Sequence, residues 1–391
     1  MGWFKMNKRL RVFEAFAGIG AQVSALKKSG IDYEIVGISE WFIAALNCYR
    51  AIHFADVDVL EYESKDIAEM REFLSKFSFS KDSVVGITNL SKLSDKEIKE
   101  LYITNSIVKN KGSIVDINAG DVGECDLFIY SFPCQDLSTG GKTKGMSEGS
   151  GTRSSLLWEV KRILLGLKDT NKLPQYLLME NVRTIFAESN RQDFDQWLNF
   201  LVGLGYKNSD QLILDSYNFG VPQSRKRAFL ISALNRKIDV SSLKERHTRY
   251  KDISEFIDYK YNQKDYFQIE RRLEANEAQL NKTISREKMW EINQRTKINN
   301  ELKIHTITCN MDRSNTAAMF KYNGPKGDTF RLLTIREAFL CMGFTPDEYE
   351  KTKSLGYSYR KMNKLIGNSI VVDVLSEIFT LIYDNFTGEG K

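Results

Sequence analysis

The sequence predicts an open α/β sheet of the doubly wound, nucleotide-binding kind, accompanied by a smaller second domain. Three observations predict it. Through the first half, short apolar runs rich in β-branched and aromatic residues alternate with helix-period segments, the pattern of successive βα units. The first run leads straight into the turn Gly18-Ile19-Gly20, which opens a helix where an anionic or nucleotide-like ligand would meet its N-terminus. From about Asn235 the character changes to a polar stretch rich in Lys, Arg, Glu, Asn and Gln with interleaved aromatics, among them Tyr250, Phe256 and Trp290.

Strands are expected over 11–16, 34–38, 126–131, 176–179 and 228–232, and helices over 21–29, 41–52, 154–167 and 194–204. The strands read as apolar on both faces, as in a parallel sheet covered by helices. Residues 57–112 interrupt the alternation with two charged amphipathic segments, around Ile67-Met70-Phe73 and Ile98-Leu101-Ile107, read as an inserted helical hairpin. Residues 364–382 read as a glycine turn followed by an amphipathic helix that rejoins the first domain. The expected division is 6–235 for the first domain, 236–345 for the second, and 346–391 for a hinge and C-terminal helix.

Apolar residues make up 42% of the chain and charged residues 27%, an ordinary soluble composition. The 5 cysteines (Cys48, Cys125, Cys134, Cys309, Cys341) are scattered without CxxC spacing, which argues against a disulfide framework or zinc site and for a reducing compartment. With only 3 histidines a His-based metal centre is not expected, and no metal is assigned. No membrane span or signal-peptide core is read, so the expected location is cytoplasmic. A net charge of +5 permits a polyanionic partner without demonstrating one.

The chemistry concentrates at strand ends. Ser131-Phe132-Pro133-Cys134-Gln135 puts a cysteine just past an apolar strand, ahead of a Gly/Ser/Lys-rich loop running from Ser138 to Gly151. In an open α/β sheet ligands bind beyond the carboxyl ends of strands. A lone cysteine is more often a core residue, but this setting favours a thiol facing a ligand. Phe16-Ala17-Gly18-Ile19-Gly20 lacks the third glycine of the dinucleotide fingerprint, because Val23 stands there, so NAD or FAD is a weaker choice. Glu40 closes the second strand, placed for ribose hydroxyls, and Trp41 beside it is placed to stack on adenine; an adenosine-containing cofactor is expected. Glu180 ends the strand after Met179, where partial desolvation would help it hold a proton. A capping or surface role is the usual reading of a lone Glu, as a charged loop is of Gln223-Ser224-Arg225-Lys226-Arg227. Two arginines at period two also offer guanidinium forks for an anion or carbonyl.

With these residues in view, the chain resembles the bacterial cytosine-5 DNA methyltransferase family over nearly its whole length, with the motifs in the family's order. The resemblance implies a Rossmann-like, S-adenosyl-L-methionine-dependent methyltransferase sheet with a target-recognition domain. It implies cofactor contacts at Phe16, Gly18, Gly20, Glu40, Trp41, Asp116, Ile117, Pro133, Asn368 and Ser369. The nucleophile motif matches Pro133-Cys134-Gln135, the Glu-Asn-Val motif Glu180 to Val182, and the Gln-x-Arg-x-Arg motif Gln223, Arg225 and Arg227. Thr334-x-Arg336-Glu337 and Gly367-Asn368-Ser369 match the later motifs. The wording Tyr130 to Ser138, with Gly151-Thr152-Arg153-Ser154, is similar to that of CpG-methylating enzymes from mollicutes, but the recognition segment does not follow theirs. The insertion at 57–112 and Val371 in place of a frequent proline are departures.

The implied roles are Cys134 as nucleophile at cytosine C6, Glu180 as proton donor at N3, and Arg225 holding O2, with Arg227 beside it. DNA contacts are expected from Gln135, Ser138, Arg153, Thr306 (Thr308 being the rival), Asn310 and Arg313, on double-stranded DNA with the target base flipped out. The implied protein is a monomer in the bacterial cytoplasm, associated with the nucleoid, either within a restriction-modification system with an independent companion endonuclease or as an orphan enzyme. Cytosine-5 methylation of tRNA, a non-catalytic DNA-binding regulator and an NAD-dependent oxidoreductase are the competing readings.

Overall fold

The computed structural model describes residues 8–87, 89–133, 146–149, 153–250, 252–258, 266–278, 283–285, 287–288, 303–311, 320–324 and 327–388. The chain divides into two compact units, one of Met1–Leu214, Lys226–Glu245 and Ser376–Lys391, the other of Asp215–Arg225 and Arg246–Leu375. Relative to the division expected from sequence, 215–225 joins the second unit and the C-terminal boundary falls at 375 rather than 345.

The first unit runs β1 (Leu10–Ala15), α1 (Ala21–Lys28), β2 (Tyr33–Ser39), α2 (Ile43–His53), α3 (Leu60–Glu63), α4 (Ile67–Leu74), α5 (Asp95–Ile107), α6 (Ala119–Val122), β3 (Leu127–Tyr130), α7 (Leu157–Asp169), β4 (Tyr176–Val182), α8 (Arg191–Gly203), β5 (Tyr206–Asn208), β6 (Leu212–Asp215) and β7 (Lys226–Leu234). Strand order is β2-β1-β3-β4-β7-β5, with β6 also on β7. The β2-β1-β3-β4 core is parallel, which puts the carboxyl ends of β1, β3 and β4 on one edge. The sheet is mixed rather than wholly parallel, because β7 and β5 pair antiparallel. An apolar run such as 228–232 reports burial, not direction, so the sequence carried no sign of the reversal.

Burial on both faces explains the unbroken apolar runs: every residue of β3 is buried. Phe13 stacks on Phe128 with centroids 5.3 Å apart, and Tyr130 meets Trp197 edge-on at 5.7 Å. Residues 57–112 pack against this unit through α4, which buries Met70 and Leu74, and α5, which buries Ile98, Leu101 and Ile107. Ser94 and Glu97 form a capping box at the start of α5. The distal part of the C-terminal helix Val372–Thr387 is tied to α1 through Ser29 Oγ, 2.8 Å from Ser376 Oγ.

The second unit contains α9's successor helix α10 (Tyr266–Glu277; α9 itself, Ser241–Lys244, lies in the first unit), the hairpin β8 (Phe320–Gly324) and β9 (Gly327–Arg331), and helices Ile335–Cys341, Pro346–Lys353 and Tyr359–Asn368. Its buried ionic centre is Arg331, which makes a bidentate pair with Glu337 at 2.7 and 2.8 Å. Glu337 also closes a capping box with Thr334, so one carboxylate serves the helix start and the guanidinium together. The glycine turn expected near 364–367 is instead the last turn of a helix. Gly367 is there because a Cβ would come within 2.4 Å of the Cys309 backbone nitrogen. The stretch Tyr359–Thr387 is long and apolar enough to cross a membrane, but it is two helices, Tyr359–Asn368 and Val372–Thr387, broken at 369–371, and 61% of its most apolar window is buried.

Candidate active site

The turn after β1 is built from backbone conformations that favour glycine. Phe16, Gly18 and Gly20 all have positive φ, at 60°, 59° and 83°. At Gly20 a Cβ would lie 2.4 Å from the His53 ring, so only hydrogen fits; at Gly18 a Cβ would meet nothing within 4 Å, leaving open space over the turn. The Glu40 carboxylate braces this turn: Gly18 N donates to Oε2 at 2.9 Å and Phe42 N donates to Oε1 at 2.8 Å. Burial raises the Glu40 pKa, opposed by the N–H groups of Phe42, Gly18 and Trp41. Held by these N–H groups, the carboxylate is the kind of acceptor that a vicinal diol requires. Trp41 is half-buried beside it, Asp116 is exposed and Ile117 is buried. These residues fit an adenosine-bearing ligand.

Next to β1 in the sheet, β3 delivers Ser131-Phe132-Pro133. The side chain of Asn181 donates to the Phe132 carbonyl at 3.1 Å, and Ser154 Oγ donates to the Pro133 carbonyl at 3.0 Å. Both clamping side chains are buried, at 2% and 0% exposure. Glu180, adjacent on β4, lies 3.4 Å from Arg227 Nε. Cys134, Gln135 and Ser138 lie outside the described residues, as does Arg313; Arg153 sits in a 3-10 turn, Arg153–Leu156. Among the described cysteines, burial pushes the Cys125 thiol up to about 12 and the Cys341 thiol well above its ordinary value, and Cys48 is fully buried. None of these three is an activated nucleophile.

In the second unit the expected Arg225 role changes. Its guanidinium is buried and donates to the carbonyls of Ile307 (2.7 Å), Gly367 (3.0 Å) and Ser369 (2.9 Å). Gln223 likewise holds Cys341 O and receives Ile307 N. The first two members of the Gln-x-Arg-x-Arg motif therefore tie together the backbone of their own unit, and Arg227 is the guanidinium beside Glu180. Period-two spacing put both arginines on one strand face, but 225 precedes β7 and leaves that register. Thr306 donates its hydroxyl to Ser224 O at 2.8 Å, whereas Thr308 is half-buried next to Gly367. Asn310 and Asn368 are exposed and Ser369 is half-buried. Sequence reasoning missed the clamping role of Asn181 and Ser154; a buried asparagine directly after a strand-end carboxylate was the available signal. Among the described residues no group of three His, Cys, Asp or Glu side chains is placed to hold a metal ion.

Fold and site together define a doubly wound α/β protein with a glycine turn braced by Glu40 after β1 and a carboxylate, Glu180, on β4. Residues 75–384 match the C-5 cytosine-specific DNA methylase family. The chain is 35% identical over 388 residues to the orphan methyltransferase M.SssI of Spiroplasma monobiae, covering 96% of this chain and 98% of that protein. It is 34% identical over 379 residues to the type II methyltransferase M2.ScrFI of Lactococcus lactis subsp. cremoris, covering 96% and 99%. In fold it is similar to the S. pombe Dnmt2 methyltransferase, with a TM-score of 0.64 at 18% identity over 97% of this chain and 99% of that one. The chain belongs to the C-5 cytosine-specific DNA methylase family: it is a DNA (cytosine-5)-methyltransferase that uses S-adenosyl-L-methionine.

Proposed function

We propose that Cys134 is the nucleophile of this methyltransferase and that the pieces around it divide the work as follows. Cytosine C5 is a weak nucleophile because aromatic conjugation opposes its attack on a donor. Addition of the Cys134 thiolate to C6 breaks that conjugation and leaves C5 enamine-like. Glu180 donates a proton to N3 as the thiolate adds, which keeps charge from accumulating on the ring. Arg227, rather than Arg225, holds the O2 carbonyl and steadies Glu180. Bound S-adenosyl-L-methionine supplies an electrophilic methyl group. Solvent then takes the C5 proton, the Cys134 thiolate departs, and Glu180 takes back the N3 proton, which restores the aromatic ring.

The cofactor is held by Phe16, Gly18 and Gly20 at the turn, Glu40 at the ribose, Trp41, Asp116 and Ile117 at the adenine, and Pro133, Asn368 and Ser369. The target is a cytosine flipped from duplex DNA, which costs a few kcal/mol of pairing and stacking. Backbone and base contacts come from Gln135, Ser138, Arg153, Asn310 and Arg313. Thr308 is the better phosphate donor of the threonine pair, because the Thr306 hydroxyl proton is already directed at Ser224 O. The enzyme acts as a cytoplasmic, nucleoid-associated monomer, in an orphan or restriction-modification setting in which a companion endonuclease would work independently.

The observation that carries this reading is the convergence of the clamped Phe132-Pro133 stem and the Glu180–Arg227 pair on one sheet edge. Transfer of labelled methyl groups to duplex DNA, followed by digestion to nucleosides, should place the label in 5-methylcytosine. Label recovered from tRNA and not from DNA would refute the substrate assignment.

A further inference from the structure

The insertion at 57–112 carries none of the motifs of the catalytic reading, yet it grips the Glu40-Trp41 dipeptide from two sides. After α5, Lys111 N donates to Ile38 O at 2.8 Å and Ser39 Oγ donates to Gly112 O at 2.9 Å, extending the edge of β2. At Glu40 itself the backbone N–H donates to Asn110 Oδ1 at 3.0 Å. Asn110 is 2% exposed, and its amide nitrogen donates to Asn105 Oδ1 at 2.7 Å while the Asn105 amide donates back to Asn110 O at 3.2 Å. This reciprocal pair leaves Asn110 one orientation, with its oxygen toward Glu40. From the other side Ser80 N donates to Trp41 O at 2.7 Å, Ile43 N donates to Ser80 O at 3.0 Å, and a Cβ on Gly86 would stand 3.9 Å from the Trp41 ring.

We infer that Asn110 is a positioning residue for the cofactor's ribose, and that the insertion is a structural wall of the adenosine site. The inference rests on the reading of Glu40 as the ribose acceptor. With its two oxygens held by Gly18 N and Phe42 N, the direction in which the Glu40 carboxylate faces the diol follows the backbone at residue 40. Asn110 fixes that backbone through a half-buried side-chain hydrogen bond. Without it, the carboxylate would lose its aim at the diol before the fold lost its core.

The test is equilibrium binding of S-adenosylhomocysteine and its 2′-deoxyribose analogue to the full-length enzyme and its Glu40→Ala, Asn110→Ala and Asn110→Asp variants. The wild type should prefer the ribose ligand by about tenfold or more, the size of a hydrogen bond to a charged group. Glu40→Ala should erase that preference and Asn110→Ala should erase most of it. Asn110→Ala should also raise the KM for S-adenosyl-L-methionine about tenfold with kcat within about twofold. Asn110→Asp keeps an acceptor for Glu40 N–H, and Asn105 can turn its amide to donate to it, so much of the preference should return. If Asn110→Ala is unfolded by circular dichroism, Asn105→Ala, which frees the Asn110 amide to rotate, carries the same readout. Equal loss of affinity for both ligands, or no loss, in the Asn110 and Asn105 variants would overturn the inference while leaving Glu40 in place. Retention of the preference in Glu40→Ala would overturn the ribose reading beneath it.

Discussion

The side-chain amide of Asn181 donates to the carbonyl of Phe132 at 3.1 Å, joining the end of β4 to the peptide two residues before Cys134. Because Asn181 is buried and directly follows Glu180, one hydrogen bond sets the spacing between the acid and the approach to the thiol. Asn181→Ala should leave S-adenosyl-L-methionine affinity within about twofold and lower kcat about 10- to 100-fold, the cost of a reacting group misplaced by roughly 1 Å. Steady-state kinetics with calorimetric cofactor titration checks both halves.

The two arginines of the Gln-x-Arg-x-Arg motif should separate cleanly. Arg225→Ala strands three carbonyls, those of Ile307 and Gly367 buried, so it should destabilise the protein by about 3–5 kcal/mol, read as a large fall in Tm. Arg227→Ala removes a half-buried partner of Glu180 and should keep Tm within a few degrees while lowering kcat by about 100-fold or more. Equal loss of Tm in the two variants would return them to a single structural role.

Glu14, on β1 two residues before the turn at Phe16, is fully buried, and burial pushes its carboxyl up to about 8. Its nearest polar neighbour is the Tyr49 hydroxyl, 3.5 Å from Oε1. Between its ordinary value of 4.5 and about 8 the folded protein keeps a proton that the unfolded chain has released. Its contribution to stability is therefore complete below pH 4.5, falls as pH rises through that window, and levels off above it, at about 1.4 kcal/mol per pH unit. Glu14→Gln should flatten this slope, measured as the difference between wild-type and variant urea midpoints from pH 5 to pH 8.5.

Arg331 and Glu337 form a pair that is 1% and 2% exposed. Glu337→Ala leaves a buried guanidinium without its anion and also opens the Thr334 capping box, so a loss of about 3–5 kcal/mol is expected. The double variant Arg331→Met with Glu337→Leu should recover most of it, which urea unfolding would register.

Much of this architecture was legible in the residues. The strand-turn-helix at Phe16 to Gly20, the acid at the end of β2 and the Glu-Asn at the end of β4 each follow from local chemistry, because strand ends and helix starts leave backbone groups that only certain side chains and glycines accommodate. Direction was not legible: β7 reads the same forward or reversed, and β5 and β6 are too short to show a period. Nor were long-range hydrogen bonds, such as Arg225 to the carbonyls around Gly367 or Asn110 to Glu40, since their partners are set by packing of segments 142 and 70 residues apart.

The proposed mechanism turns on a covalent bond between the Cys134 sulfur and C6 of a flipped cytosine. Duplex DNA containing 5-fluorocytosine at the methylated position, incubated with enzyme and S-adenosyl-L-methionine, tests it on a denaturing gel, because fluorine cannot leave as the C5 proton does. A covalent protein–DNA band with wild type, its absence with Cys134→Ser, and a tryptic adduct mapped to Cys134 are the predicted results. No adduct from wild-type enzyme that is methylating the unsubstituted site would contradict the account.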